Sequence, residues 1–113
     1  MALKIEDIRL MKRYFEGVMG RANHHAENVN EIILALAGGV IWRGADIDVR
    51  TYGDKTANML WMKTDSGKGY CFIFNHNNWL IEVYENTMNG KLLKQFSNED
   101  SLKDVRLFFK GLE

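Results

Sequence analysis

The sequence lacks proline, has a single cysteine, and carries no surplus of either charge. Without proline, the helical spacing of the first third of the chain runs uninterrupted. Cys71 alone can form no internal disulfide, which favours a reducing cytoplasm as the compartment. Lysine plus arginine and aspartate plus glutamate number 15 each, so the net charge provides no long-range attraction toward nucleic acid or an anionic membrane.

Long apolar runs are also missing. None approaches the ~20 residues that a membrane-spanning helix needs, and the first residues lack the charged-then-apolar layout of a signal peptide. The remaining composition is ordinary for a soluble protein, since 46% of the 113 residues are apolar and 27% are charged. A chain of this length suits a single domain, which we place at residues 1–113.

An apolar stripe at helical spacing runs through the first third of the chain. A single helix over residues 5–37 would be about 50 Å long, whereas a compact domain of this size is only about 35 Å across. We therefore expect a break between Gly20 and Asn28, or else projection of the helix into a second subunit. The stripe consists of Ile8, Met11, Phe15, Val18, Ala22, His25, Val29, Ile32 and Leu36.

Two signals predict the ends of the second helical segment. Asn28 followed by Glu31 resembles a capping box with asparagine as the cap. Gly38 and Gly39 then predict the C-terminal end of the segment. The apolar residues 40–42 that follow are expected to form a short strand.

From residue 40 onward, aromatic and β-branched runs bounded by Gly, Asn and Asp predict antiparallel strands with short connections. Asn89-Gly90 is the strongest hairpin signal. Residues 65–69 predict a plain hairpin turn rather than a phosphate-binding loop, because no helix follows them. The predicted strands are residues 40–42, 47–52, 59–63, 70–74, 79–84 and 91–96.

A last helix is predicted at about residues 102–112, with Asn98 or Ser101 as its cap. We expect at least one of Phe108 and Phe109 in the core. The predicted fold class is α+β, with an N-terminal helical segment, an antiparallel meander of four to five strands, and a C-terminal helix packed on the sheet. Several strands are apolar on both faces, so a loop, a curled sheet or a partner must cover the face that the helices leave.

No catalytic, metal or nucleotide motif is recognisable, and no catalytic residue, metal ligand or cofactor is predicted. His24 and His25 are adjacent, so they cannot both ligate a metal from one face of a regular helix. Aromatic and polar side chains are the better candidates, since together they suit a pocket for a small or cationic molecule. The candidate ligand-binding residues are Trp42, Trp61, His25, Asp48 and Arg50.

Four stretches of the chain resemble small proteins encoded by the mobile gene cassettes of bacterial integrons. They are residues 28–43, 57–61, 74–76 and 96–98. The resemblance implies a bacterial cytoplasmic α+β protein that often self-associates and whose function is generally unassigned. It implies no catalytic residues.

Three classes of function stay open. The first is a non-catalytic binding or interaction protein, either a small-ligand binder or an adaptor that neutralises a partner. The alternative is an enzyme whose pocket gathers non-adjacent residues around His25, Asp48 and Arg50. The third is a single-stranded nucleic-acid binder that stacks bases on its tryptophans.

Self-association is predicted as a two-fold homodimer. The apolar stripe is too long for one small domain, and strands that are apolar on both faces also need cover. The predicted contacts are exposed members of the stripe, such as Met11, Phe15 and Val18, or one aromatic face of the sheet.

Overall fold

Within the described residues, one antiparallel sheet and three helices make up the fold. The computed structural model describes residues 2–4, 6, 8–25, 29, 31–52, 55–75 and 77–112. The strands are β1 (Ala2–Lys4), β2 (Asp46–Tyr52), β3 (Lys55–Lys63), β4 (Gly69–Asn75), β5 (Leu80–Glu85) and β6 (Leu92–Phe96). The helices are α1 (Ile8–His25), α2 (Ile32–Arg43) and α3 (Leu102–Lys110).

The strands follow one another across the sheet in chain order, which confirms the predicted α+β class. Strands β2 to β6 are the predicted meander. Strand β1, which the sequence patterns did not indicate, pairs with β2 at one edge. Short connections explain the order of β2 to β6, because an antiparallel strand joined by a tight turn pairs with its immediate predecessor.

The core lies between one face of the sheet and the three helices. Val49, Leu60, Phe72 and Val83 are cross-strand partners in register, so their side chains share this face, and each is at most 5% exposed. Phe109 of α3 stacks on Phe72 with the ring centroids 5.9 Å apart. Burial of these side chains holds the helices against the sheet, since it is the main favourable term in folding.

The predicted break in the N-terminal helical stripe is confirmed. Helix α1 ends at His25 and α2 begins at Ile32, and the whole molecule measures 37 × 33 × 26 Å. Both helices place their apolar faces in the same core. Met11 and Val18 are therefore 7% and 0% exposed, so the prediction that they form exposed dimer contacts is wrong. The predicted cap Asn28 lies outside the described residues.

The predicted helix end at Gly38-Gly39 and the predicted strand at residues 40–42 are both wrong. Helix α2 continues through the two glycines to Arg43. Gly39 instead serves helix packing, because a Cβ atom there would overlap the Phe109 ring. The glycine lets α3 approach α2 closely, and the Arg43 guanidinium then donates hydrogen bonds to the carbonyls of Phe109 and Leu112.

The two residues predicted as alternative caps of α3 cap two different helices. Ser101 accepts a hydrogen bond from the Asp104 backbone N–H and Asp104 returns one, which is a capping box at the start of α3. Asn98 caps α2, since its Oδ1 accepts hydrogen bonds from the backbone N–H groups of Glu31 (3.0 Å) and Ile32 (2.8 Å). Glu31 occupies the N-cap position itself but makes no capping bond with its side chain.

Two of the predicted turns differ in detail. The β5–β6 connection is wider than an Asn-Gly turn, and the residue with positive φ is Asn86 rather than Asn89. Trp79 also has a positive φ, so β5 begins at Leu80. The β3–β4 connection is the predicted plain hairpin turn, closed by a hydrogen bond from Thr64 N–H to the Lys68 carbonyl.

Candidate binding site on the open face of the sheet

The sheet face opposite the helices carries a row of polar and aromatic side chains, and we call it the open face. Asp48, Trp61, Cys71 and Tyr84 are successive cross-strand partners on β2 to β5 and define this row. Cys71 is fully buried between its two aromatic neighbours in this row, Trp61 and Tyr84. Burial raises the pKa of the Cys71 thiol to about 12, which keeps it protonated and unreactive.

Glu82 is the centre of a satisfied polar cluster on the open face. Its Oε1 accepts hydrogen bonds from the Tyr84 hydroxyl (2.8 Å) and from Asn75 Nδ2 (3.0 Å). Its Oε2 accepts from Gln95 Nε2 (2.9 Å) and from Asn78 Nδ2 (3.1 Å). The side chain is only 6% exposed, so a carboxylate is held here by four neutral donors. The cluster ties β4, β5, β6 and the β4–β5 turn together.

The protonation behaviour of this cluster follows from its hydrogen bonds. Burial alone would raise the pKa of Glu82, but the four donated hydrogen bonds outweigh it and lower the pKa below its ordinary value. The pKa of Tyr84 is raised, first because its hydroxyl donates to Glu82 and then because of burial and the nearby negative charge. The carboxylate is thus ionised and fully used as an acceptor, which leaves it no free site for a ligand.

A pocket of about 260 Å³ lies at the Gly69 end of the open face, and we call it the Gly69 pocket. Gly69 is the cross-strand partner of Lys63, and its missing side chain leaves the floor open. A Cβ atom there would come within 2.8 Å of the Asn86 Oδ1, so the glycine also leaves room for that amide. The lining residues are Asp48, Trp61, Met62, Lys63, Gly69, Tyr70 and Asn86.

Four polar groups around the Gly69 pocket have no partner in the described part of the chain. They are the Asp48 carboxylate, the Trp61 indole N–H, the Lys63 ammonium and the Asn86 side-chain amide. Asp48 and Trp61 are half-buried, whereas Lys63 and Asn86 are exposed. The contrast with the saturated Glu82 is informative, because polar groups that converge on a hollow without internal partners are available to a ligand.

The structure brings some of the predicted site residues together and separates others. Asp48 and Trp61 are direct cross-strand partners in the Gly69 pocket. Arg50 lies two residues beyond Asp48 on the same strand and is half-buried outside the pocket. Trp42 lies on the helical side of the molecule, and the His25 side chain lies outside the described residues.

Trp42 lines a separate groove of about 200 Å³ between α2 and α3. The third tryptophan, Trp79, packs near Phe74 with the ring centroids 6.1 Å apart. The three tryptophans therefore lie on three different surfaces. They do not form the common stacking platform that a single-stranded nucleic-acid binder uses.

Sequence reasoning missed Lys63, Gly69 and Asn86. The turn pattern at residues 65–69 identified a hairpin, but it did not indicate that Gly69 would pair with Lys63 beside Trp61. The signal was present in the spacing, because Trp61 and Lys63 stand two apart on one strand and so share a face. Asn86 reaches the pocket through the left-handed backbone conformation that begins the β5–β6 turn.

Comparison with known proteins identifies the family of the chain. A family model described as "Integron cassette protein VCH_CASS1 chain" matches residues 11–106. A search of curated proteins gave no significant match. In the portion that the structure describes, no helix is long and apolar enough to cross a membrane, and no group of His, Cys, Asp and Glu side chains is placed to hold a metal ion.

Proposed function

The chain belongs to the integron cassette protein VCH_CASS1 chain family, and from that premise we propose that it is a non-catalytic binding protein whose Gly69 pocket takes a small ligand. One observation carries the proposal. An indole, a carboxylate, an ammonium and an amide surround a hollow of about 260 Å³ and have no partner in the described chain. This mixture of one apolar surface and a few convergent polar groups is typical of small-molecule sites.

The Trp61 ring forms part of the apolar wall of the Gly69 pocket. Its indole is half-buried, so a ligand that covers it removes further apolar surface from water. Asp48 opposite it supplies a fixed acceptor, held on β2 by the sheet register. A site on paired strands is pre-organised, which reduces the ordering cost of binding.

A thermal-shift screen against a broad metabolite set tests this proposal. A ligand present at 100 times its Kd stabilises the native state by about 2.7 kcal/mol. For a domain of this size, that is a rise of roughly 10 °C in Tm. We expect Trp61→Leu to abolish the ligand-induced rise and Trp42→Leu to preserve it.

The two variants separate the two candidate sites. A rise that disappears in Trp42→Leu but persists in Trp61→Leu would place the ligand in the α2–α3 groove and refute the assignment to the Gly69 pocket. A screen in which no compound raises the Tm of the unmodified protein would count against small-ligand binding altogether. The unliganded Tm of each variant is the reference for its own ligand-induced shift.

We also propose that the protein is a homodimer, through the outer face of α2. This helix is apolar on nearly all sides, and such helices are normally covered. Its outward side chains Leu34, Ile41 and Trp42 are 60%, 61% and 55% exposed, and Leu102 of α3, which lines the α2–α3 groove, is 74% exposed. They replace Met11 and Val18 as the expected contacts.

A second copy of the chain is the occupant that the shape of this surface suits. Trp42 projects beside the α2–α3 groove, which Gly38 and Ala35 leave open. Gly38 and Trp42 are one turn apart on α2, so a two-fold axis between them places the Trp42 of each copy over the Gly38 of the other. Isologous pairing of this kind covers both apolar surfaces with one contact.

Sedimentation at micromolar concentration tests the dimer. We expect twice the monomer mass of 13.1 kDa for the unmodified chain, and the monomer mass for Ile41→Glu. Met88→Glu is the matched control, because Met88 is similarly exposed (51%) but lies in the β5–β6 turn. A single species of monomer mass for the unmodified chain would refute the dimer.

The cytoplasm is the compartment that we propose. Cys71 is reduced and buried in this structure. A free thiol without a disulfide partner in the sequence is typical of proteins that remain in a reducing compartment.

A further inference from the structure

The polar groups of the Gly69 pocket have a definite charge pattern. Its described lining contains one carboxylate, Asp48, and one ammonium, Lys63, together with the uncharged amide of Asn86. Neither charged group makes an ion pair with another described residue. A ligand that carries a positive group and a negative group can therefore contact both charged side chains at the same time.

We propose that the ligand is a small zwitterion of the α-amino-acid type, with its ammonium at Asp48 and its carboxylate at Lys63. This inference rests on the proposed function, because it names the class of ligand for the same pocket. The Asn86 amide, which can both donate and accept, lies on the pocket wall and can serve either end of such a molecule.

The spacing of the two charged residues supports a bridging ligand. Asp48 is the direct cross-strand partner of Trp61, and Lys63 stands two residues beyond Trp61 on the same strand. Diagonal neighbours of this kind are about 7–8 Å apart. That separation leaves room for a short molecule that carries opposite charges on adjacent carbons and contacts both side chains.

The ammonium end has the better-defined position. Asp48 is half-buried, so its attraction for a cation is screened less than at a fully exposed site. The face of a tryptophan ring attracts cations, and Trp61 is the nearest residue across the strand pair. Lys63 is exposed, so its contribution to affinity is smaller and depends on salt.

The volume of the pocket suits a small ligand. Its volume of about 260 Å³ lies just below the roughly 300–1,000 Å³ that is usual for drug-sized ligands. A single amino acid fits within this volume. The Trp61 ring then contacts the apolar part of the amino acid.

Isothermal titration with the twenty standard L-amino acids is the first step of the test. For the amino acid that binds most tightly, its decarboxylated amine and its deaminated acid are titrated next. We expect the intact zwitterion to bind at least 10-fold more tightly than the deaminated acid, which leaves the half-buried Asp48 without a partner. We expect it to bind about threefold more tightly than the amine, because the Lys63 that loses its partner is exposed.

Substitutions in the pocket assign the two ends of the ligand. We expect Asp48→Asn to weaken binding of the amino acid at least 10-fold, and Asp65→Asn, on the adjacent turn, to leave it unchanged. Lys63→Met is expected to weaken binding of the amino acid about threefold, and to have no effect on binding of the amine. Lys68→Met is the matched control for Lys63→Met.

The outcomes distinguish this inference from the proposed function. If no amino acid binds but another metabolite still stabilises the unmodified protein and not Trp61→Leu, the zwitterion is overturned and the binding function stands. Equal affinity for the amino acid and its deaminated acid also overturns the zwitterion. If no compound of any class binds, both proposals fail together.

Discussion

Replacing Glu82 by glutamine will lower the free energy of unfolding by about 3 kcal/mol or more. The carboxylate accepts four hydrogen bonds at 2.8–3.1 Å and is almost completely buried. Hydrogen bonds to a charged group contribute roughly 1.5–3 kcal/mol each, although not additively. Glutamine keeps the size of the side chain but replaces one acceptor oxygen with an NH₂ group. That group is itself a donor, so it cannot accept the hydrogen bonds of the donors around it.

Urea denaturation of the two proteins measures this difference. Glu85→Gln is the matched control, because Glu85 stands at the exposed end of the same strand. We expect its unfolding free energy to change by no more than about 0.5 kcal/mol. Similar unfolding free energies for the Glu82 and Glu85 variants would show that the cluster contributes little to stability.

The same contribution depends on pH. The pKa of Glu82 is lower in the folded protein than its ordinary value of 4.5. Stability from this group is therefore fully present above about pH 4.5 and is lost as the pH falls through the folded-state pKa. We expect the difference in unfolding free energy between the unmodified protein and Glu82→Gln to shrink below pH 4.5. A difference that is constant or grows on acidification would contradict the lowered pKa.

Truncating Phe109 to alanine will cost about 3–5 kcal/mol of unfolding free energy, the usual range for a large aromatic in the core. Phe109 is fully buried, so the prediction that at least one of the two phenylalanines is in the core is confirmed. Its ring stacks on Phe72 and fills the space that Gly39 leaves between α2 and α3. Phe108→Ala is the comparison, and because Phe108 is only half-buried we expect a smaller loss.

Gly39 provides a sharper test of the same packing. Gly39→Ala alone should destabilise the protein by roughly 1–3 kcal/mol, since its methyl group would overlap the Phe109 ring. In the double variant with Phe109→Ala, the methyl group enters the space that the ring has left. We therefore expect the double variant to lose less stability than the sum of the two single losses. Additive losses in chemical denaturation would contradict direct contact between the two positions.

The sequence predicted those parts of the fold that depend on neighbouring residues. Aromatic and β-branched runs bounded by turn residues located β2 to β6, because such residues favour strands and Gly, Asn and Asp favour the turns between them. The helix break followed from a length argument that needs only the size of the domain. Ser101 was a candidate cap for α3 because it immediately precedes the predicted start of the helix, and the structure shows Asp104 as its partner in a capping box.

The errors arose where a distant residue decides the outcome. Gly38 and Gly39 predict a helix end from local preference, but the position of Phe109 makes Gly39 a packing residue inside a longer helix. Asn98 was a local candidate for α3, yet its side chain caps α2. Local propensity is regularly overridden by tertiary contacts of this kind.

The candidate site shows the same division. Asp48 and Trp61 were selected because an aromatic ring and a carboxylate suit a small polar ligand, and both lie in the Gly69 pocket. Gly69 was not selected, because a pocket made by a missing side chain has no chemical signature in the sequence. Trp42 was selected with them only because it is also a tryptophan. The surface on which a side chain lies depends on the strand register and on the packing of the helices against the sheet, and neither is visible in the sequence.

The capping of α2 by Asn98 has a consequence for the order of events during synthesis. The amide that satisfies the Glu31 N–H lies 67 residues further along the chain. At 5–20 residues per second, a ribosome needs about 3–13 s to add that stretch. A helix of 12 residues is marginal by itself in water. During those seconds the nascent chain presents an uncapped and almost wholly apolar segment, which makes α2 the part of the unfinished protein most in need of chaperone protection.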